Sequence, residues 1–139
     1  PLGQYLDLNH HPKDSREQMV HLIEKKTATF FECSVLLGYI LGGGDIHHIE
    51  STRHLGNAIG QLLQLSDDIE DHKTDLEHQR PNIFNTLGFA STSALFDKHL
   101  GTIDTYLETH DQESKILREL QDYFESKRLR PHLDKILSA

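Results

Sequence analysis

The chain has 139 residues, of which 36% are apolar and 26% are charged, and its formal net charge is −8. This length suits one domain with a single core, and the acidic balance, without any stripe of Lys and Arg, excludes a typical nucleic-acid-binding face. A single cysteine excludes an internal disulfide, and the N-terminus has no signal-peptide pattern, so we expect a cytoplasmic protein.

The spacing of the apolar residues predicts helices along the whole chain, and no stretch alternates as a strand does. Pro1–Asn9 is predicted to be the end of one helix. Asp14 or Ser15 can cap the next helix, which continues from Arg16 to Leu37 without Gly or Pro.

The part from Ala28 to Leu41 is apolar nearly all round, which is typical of a buried helix. At about 14 residues it is shorter than the ~20 that a bilayer requires. Cys33 lies within it and is therefore predicted to be a buried structural thiol rather than a nucleophile. Gly42 to Gly44 are predicted to end this helix, and Asp45 to cap the following one.

The second half of the chain continues the helical pattern. The predicted segments are Ile46–Lys73, a shorter apolar stretch Asn82–Ala90 after the break at Arg80–Pro81, and two amphipathic helices at Ser91–Thr109 and Gln112–Arg128. Five or six helices with short connections predict an all-α bundle.

One face of the helix Ile46–Lys73 is predicted to carry the chemistry. It holds Gly60, Gln64, Asp67, Asp68 and Asp71, which share a face at about 100° per residue. Apolar side chains on other faces are predicted to point to the core: Ile59, Leu62, Leu63 and Ile69. Each like-charge pair costs roughly 0.2–0.5 kcal/mol, and Mg²⁺, which prefers carboxylate oxygens, would relieve that repulsion. The alternative is a solvated acidic face.

A second feature is the pair Lys26 and Thr27 at the polar end of the apolar helix. Alone, the pair fits an exposed basic turn. Combined with the carboxylate face, it predicts a site for an amphiphile with a diphosphate head and an apolar tail.

Three segments together resemble one enzyme family. They are Gly3-Gln4-Tyr5-Leu6-Asp7-Leu8, Lys26-Thr27, and Leu63-Gln64-Leu65-Ser66-Asp67-Asp68-Ile69-Glu70-Asp71. Their order is similar to the GQxxDL, KT and FQxxDDxxD segments of trans-isoprenyl diphosphate synthases (polyprenyl synthetases). Asp75 to Arg80 is similar to a further family stretch, DLxxGK. This chain departs from the family at Leu63, where Phe is usual, and in lacking the Gly-Lys pair.

The resemblance implies an isoprenoid-synthase-type helical bundle, of which residues 1–139 form the C-terminal portion, about half of the fold. It implies catalytic roles for Lys26, Asp67 and Asp68, a magnesium site at Asp67, Asp68 and Asp71, and substrate contacts from Lys26, Thr27, Gln64, Lys73 and Arg80.

The implied reaction condenses an allylic prenyl diphosphate with isopentenyl diphosphate, with Mg²⁺ assisting the departure of diphosphate. The first aspartate-rich motif of the family does not occur in the 139 residues. We therefore expect that this chain alone makes no product. We also expect that it exposes apolar surface and that it forms a homodimer or associates with the N-terminal half.

Two other functions are open. The chain could be a non-catalytic helical subunit or interaction module on the same scaffold, although the repelling carboxylates and Lys26 argue against this. A related class I terpene synthase is disfavoured by the KT pair. His47, Glu50 and His54 could share a face, but scattered surface histidines are the better interpretation of the eleven in the chain.

Overall fold

The computed structural model describes Gln18, residues 27–110 and residues 114–127. These ranges contain four α-helices and no strand, which confirms the predicted all-α class. The helices are α1 (Thr29–Leu41), α2 (Ile49–Glu77), α3 (Ile83–Thr109) and α4 (Lys115–Ser126), with a short 3-10 helix at Ile46–His48. Lys26 and the segment Gly3–Leu8 lie outside the described residues, as do the predicted helical segments before Thr27.

The turn between α1 and α2 follows the sequence prediction closely. Gly43 adopts φ +80°, a left-handed conformation that Gly adopts at little cost. The Asp45 side chain accepts a hydrogen bond from the His47 backbone N–H at 2.9 Å and so caps the 3-10 helix. The α-helix itself begins three residues later than predicted, at Ile49, and continues past Lys73 to Glu77.

The predicted separation into Asn82–Ala90 and Ser91–Thr109 corresponds to a break in the helical backbone inside α3, which lies at Gly88, close to the predicted boundary. Asn82 caps this helix by accepting a hydrogen bond from the Asn85 backbone N–H at 3.1 Å. Gly88, with φ +79° and ψ 178°, kinks the helix. At Gly88 the backbone leaves the helical conformation, so α3 consists of two helical segments that meet at a kink.

The core lies between α2 and α3, which pack side by side and are joined by a short turn. Its most deeply buried apolar side chains are Leu55, Leu62, Leu65, Ile69, Ile83, Phe96, Leu100, Ile103 and Phe124. Of the residues predicted to point inward, Ile59, Leu62 and Ile69 are buried and Leu63 is half-buried. The 3.6-residue periodicity thus located the core face of α2 correctly.

The prediction of a buried helix at Ala28–Leu41 holds for Ala28, which is buried, and is wrong for the rest of the range. No residue of α1 is buried, and the side chains of Phe30, Leu37 and Leu41 are 68%, 59% and 78% exposed. Cys33 is exposed as well, so it is not the buried thiol that was predicted. The physical reason is that α1 packs mainly on α2, which covers one side of a helix that is apolar on all sides. None of the described helices is both long and apolar enough to cross a membrane.

Candidate functional site

The candidate site begins where α1 crosses α2, at two glycines of α2, Gly56 and Gly60. A Cβ atom built on Gly60 would lie 2.8 Å from the Ala28 Cα and 3.2 Å from the Thr27 carbonyl oxygen. A Cβ atom on Gly56 would lie 2.8 Å from the Glu32 Cα. The two distances of 2.8 Å are too short for real Cβ contacts, so the absence of side chains at Gly56 and Gly60 allows the two backbones to approach.

This close approach brings two of the predicted site residues into direct contact. Thr27 Oγ1 donates a hydrogen bond of 2.9 Å to Gln64 Oε1, and Gln64 Nε2 donates one of 2.8 Å to Asp68 Oδ1. The N-terminal end of α1, shortly after Lys26 in the sequence, therefore lies against the carboxylate face of α2. The side chain of Lys26 is outside the described residues, and its predicted contact with a diphosphate stays a prediction.

Asp68 differs from its two acidic neighbours because it is buried, with 5% of its surface exposed. Its Oδ2 accepts a hydrogen bond of 2.8 Å from the backbone N–H of Ile83, in the first turn of α3. The Asn82 side-chain amide donates to the Asp68 backbone carbonyl at 2.7 Å and to Asp75 Oδ2 at 2.9 Å. Both carboxylate oxygens of Asp68 thus accept hydrogen bonds from other groups of the protein, and this residue links α2 to the start of α3.

Asp67 and Asp71 are exposed and lie four residues apart on α2. Residues at this spacing are neighbours on one helix face. Within residues 27–110 and 114–127, no three His, Cys, Asp or Glu side chains converge to hold a metal ion. Mg²⁺ in phosphate-handling sites commonly takes one or two carboxylates and completes its shell with water and substrate oxygens. The pair of exposed aspartates fits that donor set.

A lysine that the sequence analysis did not select also reaches this surface. Lys127, at the end of α4, forms an ion pair with Glu70 of α2. The hydrogen bond that Lys127 donates to the Glu70 carboxylate raises the pKa of Lys127, and the negative charges of Glu70 and Asp67 act in the same direction. In the sequence, Lys127 stands in a run of mixed charges that favours a solvated face, so only the tertiary fold identifies it.

The two other predicted cations lie near the C-terminal end of α2. Lys73 is exposed and follows Asp71 by two residues, which places it roughly 200° further round α2. Arg80 is exposed in the turn between α2 and α3, where its backbone N–H bonds the Asp75 carbonyl at 2.8 Å. Their predicted contacts with substrate stay predictions.

The histidine alternative gains no support from the positions of its residues. His47 and His54 are exposed, and Glu50 forms an ion pair with Arg53 at 3.7 Å.

Comparison with known proteins shows that the segments carrying these residues match one protein family. The model of the polyprenyl synthetase family matches residues 1–85, which include every predicted site residue.

Three relatives illustrate the similarity. The small subunit of the heterodimeric geranylgeranyl pyrophosphate synthase of Arabidopsis thaliana is 38% identical over 71 residues, which are 51% of this chain and 21% of that protein. The large subunit 2 of the same plant's heterodimeric synthase is 37% identical over 79 residues, 54% of this chain and 21% of that protein. A trans-prenyltransferase of African swine fever virus is 39% identical over 51 residues, 37% of this chain and 16% of that protein. The matched segments thus span about a fifth, or less, of each relative's length.

Proposed function

The chain belongs to the polyprenyl synthetase family, and we propose that it forms one wall of a Mg²⁺-dependent prenyl diphosphate site. The reaction we propose for the complete site is the condensation of an allylic prenyl diphosphate with isopentenyl diphosphate. The observation that carries this proposal is the hydrogen bond between Thr27 and Gln64. It holds the N-terminal end of α1, which Lys26 precedes in the sequence, next to the carboxylate face of α2, and in this proposal a cation and two anions act on one ligand.

The roles of the residues follow from their positions. Asp67 and Asp71 hold Mg²⁺ in the proposed site, while Asp68, whose oxygens bond Gln64 and the Ile83 N–H, fixes the helix that carries them. Lys26, one residue before Thr27, provides an ammonium for the diphosphate. Bound Mg²⁺ supplies Lewis-acid stabilisation of the negative charge that builds up on the departing diphosphate.

Gln64 and Thr27 orient the reacting end of the substrate. Because the Thr27 hydroxyl donates its proton to Gln64 Oε1, its oxygen stays an acceptor, and the Gln64 amide is held in turn by Asp68. Each side chain therefore has one preferred orientation before substrate arrives, which reduces the ordering cost of binding.

The chain acts with further helices in this proposal. Phe30, Leu37 and Leu41 expose a large part of their surface on α1, as a helix does when a second layer packs on it. The names of two relatives, a small and a large subunit of a heterodimeric synthase, support an arrangement in which a partner subunit provides such a layer. We infer that the 139 residues alone form no prenyl diphosphate product.

A non-catalytic subunit is the second candidate function. It is favoured by the similarity to a protein named as the small subunit of a heterodimeric synthase. In that case the α1 surface binds a partner, and the carboxylate face has no ligand.

One experiment separates the two functions. The thermal unfolding midpoint of the chain is measured with Mg²⁺, with a prenyl diphosphate, and with both. The half-site predicts stabilisation only with both ligands, and the loss of that stabilisation in Asp67→Asn and Asp71→Asn. Asp122→Asn, an exposed carboxylate on α4, is the matched control and should behave as the parent chain. An equal response in all variants, or none in the parent, would favour the non-catalytic subunit.

A further inference from the structure

A second concave surface lies between α2 and α3, away from the carboxylate face. It is a cleft of about 730 Å³, within the size range of small-molecule sites, roughly 300–1,000 Å³. His54 and Asn57 line it from α2, and Lys98, His99, Thr102 and His110 line it from α3. His54 and Asp67 are 13 residues apart on α2, which corresponds to about 20 Å along the helix axis. The cleft is therefore separate from the proposed diphosphate site.

The charge of this cleft contrasts with that of the chain. The protein has 22 Asp and Glu residues and a net charge of −8, yet no carboxylate is among the described residues that line the cleft. The groups that do line it include one ammonium, Lys98, and the imidazoles of His54, His99 and His110. Among the described lining residues, an anion entering here meets a cation and hydrogen-bonding rings but no carboxylate.

His99 gives the cleft a buried polar group without a protein partner. Only 9% of its surface is exposed, and no hydrogen bond of its ring occurs within the described part of the chain. In that part of the chain every fully buried side-chain nitrogen or oxygen has a partner, so the unpartnered His99 ring nitrogens keep some exposed surface, and the residue lines the cleft. Burial, assisted by the charge of Lys98, lowers the pKa of His99 from 6.5 to about 4. The ring is therefore neutral at physiological pH and offers one donor and one acceptor.

The hydroxyl groups of the cleft present acceptors as well. Thr102 and Thr105 donate their protons to backbone carbonyls one turn back on α3, at 3.3 and 2.9 Å. Ser51 does the same on α2, bonding the His48 carbonyl at 3.0 Å. Their oxygens can each accept a hydrogen bond from a ligand that carries an O–H group.

The far end of the cleft is fixed by contacts between the two helices. Tyr106 Oη and Thr52 Oγ1 are 3.0 Å apart and buried. The His110 ring lies 4.9 Å from the Tyr106 ring and 4.3 Å from the His48 ring, measured between centroids. These contacts keep the walls in place without a ligand, as a preformed site requires.

We propose that this cleft binds a small oxyanion that also carries a hydroxyl group, of which monohydrogen phosphate is the simplest example. Lys98 pairs with the negative charge. The neutral His99 ring donates a hydrogen bond to a ligand oxygen, and the threonine oxygens accept hydrogen bonds from the ligand hydroxyl group. The phosphate can be free or attached to a small alcohol, because both forms present the same charged group.

The test is a titration of the full chain, without Mg²⁺, with inorganic phosphate, with glycerol phosphate and with sulfate. Binding is followed through the imidazole resonances of His54, His99 and His110 by NMR and quantified by calorimetry. We expect one of the two phosphates to shift these resonances saturably, and sulfate, which has no hydroxyl at neutral pH, to bind more weakly. The phosphate form that binds more tightly identifies the source.

Two variants and one control make the test specific. Lys98→Ala, an exposed position, should weaken binding by about 10-fold or more, as the loss of a charge-assisted hydrogen bond does. His99→Phe keeps a buried ring, removes both nitrogens and should also weaken binding. Lys115→Ala on α4 removes the same charge away from the cleft and should leave the affinity unchanged. The proposal is overturned if neither phosphate shifts the three imidazoles, if sulfate binds as tightly, or if Lys98→Ala and Lys115→Ala have equal effects.

Discussion

The backbone N–H of Ile83 donates a hydrogen bond of 2.8 Å to the carboxylate of Asp68, which joins the first turn of α3 to the acidic motif of α2. A helix N-terminus has backbone N–H groups without intrahelical partners. A carboxylate there accepts a hydrogen bond from one of them, and its negative charge interacts favourably with the positive end of the helix dipole. The acidic motif therefore contains two kinds of carboxylate. Asp68 is buried and bonded within the protein, whereas Asp67 and Asp71 are exposed.

Removal of the Asp68 carboxylate should destabilise the chain. Asp68→Ala leaves the Ile83 N–H and the Gln64 amide without this acceptor, and we expect a loss of about 1–3 kcal/mol in the free energy of unfolding. Urea-induced unfolding followed by circular dichroism measures it. The control is Asp67→Ala, at an exposed neighbouring position, which should change the free energy by less than about 0.5 kcal/mol. Equal losses in the two variants would show that Asp68 has no special structural role.

The difference between these aspartates shows what the sequence could and could not predict. The periodicity of α2 correctly placed Leu62 in the core, but it treated Asp67, Asp68 and Asp71 alike. It could not predict that Asp68 bonds Ile83, because that contact depends on how α3 folds back 15 residues later. The Asn82 cap after a proline was the available signal for the start of α3.

Two other features also depended on tertiary structure. The approach of Lys127 to Glu70 joins residues 57 positions apart, and no local pattern indicates it. The apolar composition of α1 predicted burial, but burial requires a packing partner on every side. Composition therefore located the helix, and only the structure showed that Leu37 and Leu41 are exposed.

The crossing of α1 and α2 should be sensitive to a single methyl group. Gly60→Ala places a Cβ atom 2.8 Å from the Ala28 backbone, so α1 must move away and the Thr27–Gln64 hydrogen bond must lengthen or break. We expect a destabilisation of about 1–3 kcal/mol, typical of overpacking. Chemical denaturation measures the change.

Gly38→Ala is the matched control for this substitution. Gly38 lies inside α1, and a Cβ atom built there meets nothing within 4 Å. Because Ala favours the helix over Gly, this variant should be as stable as the parent chain or more stable, by up to about 1 kcal/mol. If Gly60→Ala were equally harmless, close backbone approach could not be what fixes the helix crossing.

The exposed apolar face of α1 should drive association. Replacing Leu37 and Leu41, which are 59% and 78% exposed, by serine removes apolar surface without opening the core. We expect the double variant to have a lower weight-average mass than the parent chain at equal concentration, measured by light scattering. Ile116→Ser on α4, where the side chain is 78% exposed, is the control and should leave the mass unchanged. A parent chain that is monomeric at all concentrations would contradict this prediction.

His99 should make the stability of the chain depend on pH. Its pKa is lowered to about 4 in the folded protein, whereas in the unfolded chain it returns to its ordinary value near 6.5. Between these two values the unfolded state binds a proton that the folded state does not. The stabilisation is therefore complete above about pH 6.5 and is lost as the pH falls from there toward 4.

The expected size of this effect follows from the same linkage. Between about pH 7 and pH 5, His99 should remove about 2 kcal/mol from the free energy of unfolding, measured by urea denaturation at both pH values. His99→Phe cannot bind the proton, so the pH dependence of the variant should be smaller by that amount, whatever its stability at neutral pH. The comparison of slopes cancels the contributions of the other ten histidines, which both chains share. Identical slopes would mean that the His99 ring accepts a proton in the folded state as easily as in the unfolded chain, and that the cleft does not keep it neutral.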